Sequence, residues 1–422
     1  MTRPWKLCHT ADWHLGHTLH GRPRDEEHGA FLAWLLDLLE AERVDALVVA
    51  GDVFDTANPS GAAQAMFYGF LAALRRRCPS LQGIVVAGNH DSAARLGAPD
   101  PLLRGLGVRL IGASPSAASL DGPGALDPVI VPIVVGDATV GQVVALPYLR
   151  NADLPPLEPL EDEAPGARFV RAVRLVYEAT AARARTRLGE GALVVTGHCH
   201  AVGAALSEKS ERPVVGGIAG ALPADVFPAD AAYVALGHLH LAQAVGGRAH
   251  VRYSGSPIPL AFDEERYVHQ VQLVEFEGAR MRAHHTRPVP RSVGLLRIPR
   301  EGAAPLEEVL EALRVLPLEP GLPEARWPWL EVRVRMTQPD PALRAKVDAV
   351  LADRPVRLVR IASERDGTGE GLQSAPVGSL ADLHVRDVFL RRWATDHPGA
   401  PPDALMSAFD EAFAQASAAE DA

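Results

Sequence analysis

Residues 46–55 read ALVVAGDVFD, and this stretch decides the fold that the sequence predicts. Its first five residues are apolar and uncharged, a pattern typical of a strand that is buried on both faces. Gly51 permits a sharp turn at the end of that strand. Asp52 then comes to the carboxyl edge of a sheet, where open α/β sheets usually hold ligands and metals. An aspartate after glycine is also common in turns and helix caps, so its neighbours have to decide between the two interpretations.

Two neighbouring segments have the same organisation. Strands are predicted at residues 5–10, 46–50 and 83–87, with helices between them at residues 26–43 and 61–77. Asp12 and His14 follow the first strand, and their spacing of two points both side chains to one side of an extended segment. Asn89 and His90 follow the third strand. Alternating strands and helices predict a parallel sheet with right-handed crossovers, whose strand ends open onto one edge.

A second group of strands is predicted beyond residue 129. It begins with a hairpin at 129–135 and 139–146, and a helix at 168–188 follows. Strands are then predicted at 192–196, 233–236, 251–253 and 268–276. We expect this set to be more antiparallel than the first. His198 follows one of its strands, and His238 and His240 follow another, each time after a glycine. The predicted fold class is α/β (α+β), with two sheets packed face to face and helices outside.

Three domains are predicted, covering residues 1–288, 289–365 and 366–422. A proline-punctuated segment at 287–291 precedes the second domain, which has the pattern of a small α/β unit: strands near 293–298, 329–334 and 356–361, helices near 305–315 and 341–352. The third begins with a glycine-rich linker at 367–378. Two amphipathic helices follow, with apolar stripes at Val385, Phe389 and Trp393 and at Leu405, Phe409 and Phe413. Two such helices have too little core to be stable alone, so we expect them to pack on a partner protein or on residues 289–365.

Composition limits the function classes. The 422 residues are 47% hydrophobic, which is enough for a sizeable core, and the formal net charge is −10. Acidity argues against a broad basic surface for nucleic acid, although carboxylates that bind metal ions are counted as negative in this sum. No apolar run reaches the roughly 18 residues that span a bilayer, so we expect a cytoplasmic protein without a membrane partner. The three scattered cysteines predict neither a disulfide framework nor a thiolate zinc site.

The residues that follow predicted strands are of the types that bind divalent ions. They are Asp12, His14, Asp52, Asn89, His90, His198, His238 and His240. A single histidine at a strand end is more often structural, but a whole set at one sheet edge favours a paired-metal site. Two ions about 3.5–4 Å apart need a bridging carboxylate, and Asp52 on the central strand is suited to that role. Asn89 offers a neutral oxygen, and His90 is left free to act as an acid at a leaving oxygen.

The order of these motifs resembles the calcineurin-like metallophosphoesterase superfamily. The shared motifs are Asp-x-His, Gly-Asp, Gly-Asn-His-Asp, Gly-His and Gly-His-x-His. DWHLG at 12–16, GDVFD at 51–55 and GSPIPL at 255–260, with FDE at 262–264, resemble a bacterial nuclease subfamily more narrowly. The resemblance covers residues 5–290 strongly. Residues 289–365 are similar to that family's capping and DNA-binding domain only in size and predicted order.

The resemblance implies a role for each site residue. Asp12, His14, Asp52 and His240 would hold one ion, and Asp52, Asn89, His198 and His238 the other. His90 would be the catalytic histidine and Asp55 would orient it. Asp91 is expected to cap the following helix or to share the role of Asp55. His17, His20 and His200 are expected to be solvated or structural.

The mixed imidazole and carboxylate ligand set favours two manganese ions, with magnesium, iron or zinc as alternatives. The resemblance then implies a manganese-dependent DNA nuclease, a double-strand exonuclease and single-strand or hairpin endonuclease. It also implies a homodimer within a heterotetramer that contains a coiled-coil ATPase subunit, associated with the nucleoid. Two alternatives use the same residues: a phosphoesterase acting on phosphoproteins or cyclic nucleotides, and a non-catalytic scaffold of the ATPase.

Overall fold

A computed structural model describes residues 4–115, 120, 124–160, 163, 166–202, 204, 221–365, 393, 402, 405 and 406. The chain divides into two compact units, Met1–Glu364 and Arg365–Ala422. The linker predicted at 367–378 and the two predicted C-terminal helices lie outside the described residues, apart from a few isolated positions such as Trp393 and Leu405. Within the described part of the chain, no helix is long and apolar enough to cross a membrane.

Eighteen strands and seven α-helices are described. The strands are β1 Trp5–Thr10, β2 Thr18–Leu19, β3 Arg22–Pro23, β4 Ala46–Ala50, β5 Gln82–Val86, β6 Val108–Ile111, β7 Ile130–Val135, β8 Ala138–Val144, β9 Ala192–His198, β10 Tyr233–Gly237, β11 Gln243–Val245, β12 Arg248–Tyr253, β13 Gln270–Glu277, β14 Arg280–Pro288, β15 Leu295–Ile298, β16 Ala304–Pro305, β17 Trp329–Met336 and β18 Arg357–Arg365. The helices are α1 Asp25–Ala41, α2 Gly61–Arg77, α3 Ala93–Gly97, α4 Asp100–Arg104, α5 Ala167–Leu188, α6 Leu306–Arg314 and α7 Leu343–Leu351.

The first sheet has the strand order β14-β13-β1-β4-β5-β6. Strands β1, β4, β5 and β6 are parallel neighbours, which confirms the parallel sheet predicted from the alternation of strands and helices. All five residues of β4 are buried, as expected for a central strand that is covered on both faces. The carboxyl ends of β1, β4 and β5 therefore lie side by side at one edge.

The second sheet has the order β11-β12-β10-β9-β8-β7. Its four central strands, β12, β10, β9 and β8, are mutually parallel, and only the edge pairs β11 with β12 and β7 with β8 are antiparallel. This set was expected to be more antiparallel than the first, but each sheet contains two antiparallel pairs among its five strand pairs. Strand β13 was also expected in this set, but it pairs antiparallel with β1 in the first sheet. Strand pairing is a long-range choice that the apolar pattern of a single strand does not encode.

The two sheets pack face to face, as predicted. One core lies between them and joins the inner residues Leu7, Val48 and Ile84 of the first sheet to Val143, Val194 and Val234 of the second. Helices α1 and α2 cover the outer face of the first sheet, and α5 covers the second. The sequence missed β6 and β14 as well as several very short strands, since these carry few apolar residues or lie at sheet edges.

A third sheet is formed by β15, β17 and β16 in parallel, with β18 also paired to β17. It packs against α6 and α7 around a small core of its own. A buried ion pair between Arg24 and Glu27 at the start of α1 reaches this sheet, because the indole N–H of Trp329 donates to Glu27 at 3.1 Å. The guanidinium of Arg357 lies 3.4 Å from the Trp329 ring centroid, in a cation–π arrangement. The domain boundaries after residues 288 and 365 remain predictions.

Candidate metal centre

The strand ends of the two sheets meet at one site. Asp12 and His14 follow β1, Asp52 follows β4, Asn89 and His90 follow β5, His198 ends β9, and His238 and His240 follow β10. Donor atoms within 4.8 Å of one another form three groups: Asp12, His14 and His240; His14, Asp52 and His90; and Asp52, His198 and His238. Residues far apart in the chain therefore converge, because parallel strands in both sheets direct their carboxyl ends to the same place.

The main chain is held in an unusual conformation at four of these residues. Asp12, His14, Asp52 and His238 have φ values of 54°, 47°, 50° and 101°, in the left-handed region. Such a conformation costs on the order of 1–3 kcal/mol in each residue and persists where the surrounding structure enforces it. Here the amide of Asp12 donates to the carbonyl of Gly51 at 3.0 Å, and the amide of His14 donates to the carbonyl of Asp52 at 3.0 Å. Strain concentrated at these positions is typical of a functional site.

Two glycines are needed for the close approach of the loops. A Cβ atom on Gly51, whose φ is +96°, would lie 2.2 Å from Nδ1 of His198. A Cβ atom on Gly88 would lie 2.1 Å from Oδ1 of Asp52. The Gly-Asp and Gly-Asn pairs in the sequence thus have a steric reason, since no other residue leaves room for the side chains opposite.

Asn89, His198 and His238 form one half of the site. The Oδ1 atom of Asn89 is 2.9 Å from Nε2 of His198 and 3.0 Å from Nδ1 of His238. Nδ1 of His198 donates to the backbone carbonyl of Ala50 at 2.8 Å, so Nε2 is the nitrogen left for a ligand. That same Nε2 atom lies 3.3 Å from Oδ2 of Asp52.

Asp12, His14 and His240 form the other half. Nε2 of His14 is 3.6 Å from the same Oδ2 atom of Asp52, so this carboxylate lies between the two halves. The second oxygen of Asp52, Oδ1, accepts the backbone N–H of His90 at 2.9 Å. The Oδ1 atom of Asp12 accepts the backbone N–H of His238 at 2.8 Å, which ties the strand end of one sheet to that of the other.

The residues fit a pair of divalent cations. Oδ2 of Asp12 and Nε2 of His14 are buried and have no hydrogen-bond partner among the described residues. A buried polar atom without a partner costs about 1–3 kcal/mol, which a bound cation would offset. Carboxylate, imidazole and amide donors together are a set that divalent metals use.

The electrostatics of the metal-free site point the same way. Burial raises the pKa of Asp12 to about 7 and lowers that of His14 to about 4. Burial would also lower the pKa of His198, but the adjacent Asp52 carboxylate outweighs it and the pKa is raised to about 9. Without a metal, bound protons thus offset the negative charge of the buried carboxylates. A bound cation would replace these protons.

His90 is in contact with Asp55, but through the main chain. Nδ1 of His90 donates to the backbone carbonyl of Asp55 at 2.8 Å. The carboxylate of Asp55 is instead 3.0 Å from Nδ1 of His17 and 3.3 Å from Nδ1 of His14. His17, expected to be solvated or structural, therefore belongs to the hydrogen-bond network around the site.

Asp91 does not cap the next helix, since Ser92 accepts the capping hydrogen bond of α3. The Asp91 carboxylate accepts the backbone N–H groups of Gly88, Val53 and Phe54 at 2.9–3.1 Å. It thereby joins the loops after β4 and β5, which carry the Asp52 and Asn89 side chains. Two other histidines belong to none of these groups of donor atoms: His20 is exposed and stacks on Phe262, while His200 is half-buried.

Sequence reasoning missed one residue of this network. Glu264 is buried, and its Oε1 atom lies 2.7 Å from Nδ1 of His240. The only sequence signal was its place in the segment FDE at 262–264, which does not by itself indicate a contact with His240.

Comparison with known proteins agrees with this geometry. The family model for calcineurin-like phosphoesterases matches residues 6–241, which include all eight residues of the site. The chain is 43% identical over 375 residues, 88% of its length, to SbcD of the SbcCD nuclease of Rhodobacter capsulatus, of which 90% is covered. The chain belongs to the SbcD family of calcineurin-like phosphoesterases.

Other SbcD relatives extend the similarity over most of the chain. SbcD of the SbcCD nuclease of Escherichia coli K12 is 33% identical over 401 residues, which cover 93% of each chain. That of Bacillus subtilis is 36% identical over 276 residues, 64% of this chain and 66% of the relative. A second family model, the type 5 capsule protein repressor C-terminal domain of SbcD, matches residues 291–397. This SbcD-family chain is accordingly a metal-dependent phosphoester hydrolase.

Proposed function

We propose that this chain is the manganese-dependent nuclease subunit of a DNA-processing complex. Its activities would be those of a double-strand exonuclease and a single-strand or hairpin endonuclease. It would act in the cytoplasm, at the nucleoid, in DNA repair, recombination and replication. The observation that carries the proposal is the convergence of metal-binding side chains from both sheets on the Asp52 carboxylate. The nuclease names of the similar proteins supply the substrate class.

Each half of the site would hold one Mn²⁺. Asp12, His14, Asp52 and His240 are assigned to the first ion, and Asp52, Asn89, His198 and His238 to the second. Asp52 would contribute to both, since its Oδ2 atom lies 3.3 Å from Nε2 of His198 and 3.6 Å from Nε2 of His14. When bound, the two ions supply Lewis acidity and offset the charge that develops on the phosphoryl oxygens.

His90 is assigned the role of general acid. Its Nδ1 atom is used by the carbonyl of Asp55, so Nε2 is the nitrogen that a substrate can reach, and the side chain is partly exposed. A proton held at Nε2 would pass to the leaving oxygen as the phosphodiester bond breaks. Asp55 acts on this ring through its main chain, while its carboxylate supports His14 and His17.

The assay that tests this function uses end-labelled linear duplex DNA and the purified chain with Mn²⁺ or Mg²⁺. We expect manganese-dependent shortening of the DNA. His90→Ala should remove most of the turnover while the metal content stays near that of the wild type, since His90 is not assigned as a ligand. An unchanged rate in this variant would remove His90 from its role.

The competing substrates are tested in the same series. A phosphoserine peptide or a cyclic nucleotide hydrolysed faster than DNA would replace the nuclease proposal. If the chain cleaves none of these alone, adding an SbcC-type ATPase subunit distinguishes a nuclease that needs its partner from a non-catalytic scaffold.

The partner proposal is a homodimer of this chain with two SbcC-type coiled-coil ATPase subunits, bound through residues 366–422. Deleting residues 380–422 should leave basal nuclease activity and abolish co-purification of the ATPase. Co-purification that survives the deletion would move the contact to another part of the chain.

A further inference from the structure

Glu264 uses both carboxylate oxygens inside the protein. Glu264 lies in the segment that follows β12, and its side chain is fully buried. Oε1 accepts the Nδ1–H of His240 at 2.7 Å, and Oε2 accepts the backbone N–H of Leu260 at 2.7 Å. A buried carboxylate at this distance from a ring nitrogen is an arrangement in which neighbouring groups fix the orientation and tautomer of a metal-binding histidine.

The contact decides which nitrogen of His240 can bind a metal ion. With the proton on Nδ1 and directed at Glu264, the lone pair is on Nε2. His240 belongs to the group of donors that also contains Asp12 and His14, so Nε2 is the atom this group can share with a cation. The negative charge of Glu264 also makes the ring a stronger ligand.

The segment held by Glu264 continues to the other side of the site. The backbone carbonyl of Leu260 accepts Nε2–H of His17 at 3.0 Å. Nδ1 of His17 is 3.0 Å from Oδ1 of Asp55, and the carbonyl of Asp55 accepts Nδ1–H of His90 at 2.8 Å. Close polar contacts through Leu260, His17 and Asp55 thus connect Glu264 to the carbonyl that orients His90.

We propose that Glu264 and His17 are positioning residues that act together on the site, which rests on the function proposed above. Glu264 orients His240 toward the first ion. His17 holds Asp55 in the position from which its carbonyl orients His90. The alternative is that Glu264 only closes the loop at 260–264 through its bond to Leu260 and has no effect on metal binding.

The test measures metal binding directly, by calorimetric titration of Mn²⁺ into the chelator-treated protein and by metal analysis after dialysis at limiting Mn²⁺. Glu264→Gln is the main variant, because an amide has one acceptor oxygen for the two donors that the carboxylate serves. We expect the affinity for one of two ions to fall about 10–100-fold, the range found when such supporting contacts are removed. Excess Mn²⁺ should restore most of the turnover.

Glu264→Asp keeps the charge and should retain more of the affinity than Glu264→Gln. Asp100→Asn is the control, since Asp100 is a buried carboxylate outside the described site that accepts the backbone N–H of Leu110 at 2.8 Å and the side chains of Arg104 and Arg109. It should bind two ions as the wild type does. Circular dichroism in the presence of chelator shows that each variant is folded.

His17→Gln tests the other end of these contacts. We expect its affinity for both ions to stay within a factor of about three, while kcat falls about tenfold, because Asp55 is no longer held on the His17 side. Wild-type affinity in folded Glu264→Gln, or wild-type kcat in His17→Gln, would overturn the respective role. A wild-type protein that binds two Mn²⁺ ions but leaves DNA intact, both alone and with an SbcC-type ATPase subunit, would refute the nuclease proposal, while the calorimetric result for Glu264 would stand.

Discussion

Replacing Gly88 by alanine should disable the site through one added carbon atom. The φ angle of Gly88 lies outside the left-handed region, so alanine there does not meet the penalty of a left-handed backbone conformation. Its Cβ atom would, however, lie 2.1 Å from Oδ1 and 2.3 Å from the amide nitrogen of Asp52. Real Cβ atoms essentially never approach closer than 3.0 Å, so the Asp52 carboxylate has to move by about 1 Å.

That displacement gives the expected magnitude. Asp52 is the carboxylate between the two halves of the site, and a misplacement of about 1 Å in a catalytic arrangement costs on the order of 10²-fold in rate. Crowding a packed interior also costs about 1–3 kcal/mol of stability. We therefore expect Gly88→Ala to lose about 10²-fold in turnover on end-labelled DNA and to bind less Mn²⁺ at limiting concentration.

Gly69→Ala is the matched control. Gly69 lies inside α2, and a Cβ atom there would meet nothing within 4 Å. Alanine in a helix interior is about 0.5–1 kcal/mol more stable than glycine, so this variant should unfold at a slightly higher temperature with unchanged activity. If Gly88→Ala retains turnover within about threefold of the wild type, the packing of Gly88 against Asp52, or the central role of Asp52, is wrong.

Three further predictions address the metal, the bridging carboxylate and the third sheet. Chelator-treated protein should unfold at a lower temperature, and Mn²⁺ at about 100 times its Kd should restore about 2.7 kcal/mol of stability for each bound ion in thermal-shift measurements; an unchanged melting curve would argue against a folded-state metal site. Asp52→Asn should reduce the content of both ions in metal analysis, whereas Asp37→Asn, at an exposed residue of α1, should not; equal metal content in the two variants would contradict the bridging assignment. Trp329→Phe removes the hydrogen bond to the charged Glu27 and should cost about 1.5–3 kcal/mol in urea unfolding with the metal content unchanged; a stability equal to that of the wild type would show that this contact does not stabilise the protein.

Many elements could be predicted because local pattern determines them. The helix predicted at residues 61–77 is α2, Gly61–Arg77, and its N-cap is Ser60, whose side chain accepts the amide of Ala63. The apolar run at residues 46–50 is β4, and it is buried throughout. In contrast, β14 reads RMRAHHTRP and has no buried residue, so an apolar pattern could not reveal it. It forms because its backbone pairs with β13.

Some features of the site could likewise be predicted from the sequence, and others could not. Glycine, aspartate, asparagine and histidine after each apolar run predicted which residues converge at the site, because strand ends bring them to a common edge and metal binding restricts the residue types. Their roles as ligands stay a prediction. The role of Asp55 could not be predicted at the level of atoms, since main chain and side chain of one residue contact different partners. Glu264 was missed, and His17 was expected only to be solvated or structural, because hydrogen bonds between distant loops leave no periodic signal in the sequence.

The sequence by itself determined the parallel order of β1, β4 and β5 and which side chains are candidates for metal binding, since both depend on local periodicity and residue chemistry. Only the tertiary structure decided that β13 joins the first sheet and that the central strands of the second sheet are parallel. It also decided that Asp52 lies between His14 and His198. These arrangements depend on which surfaces exclude water together and on which distant backbone groups pair, and both are properties of the whole folded chain.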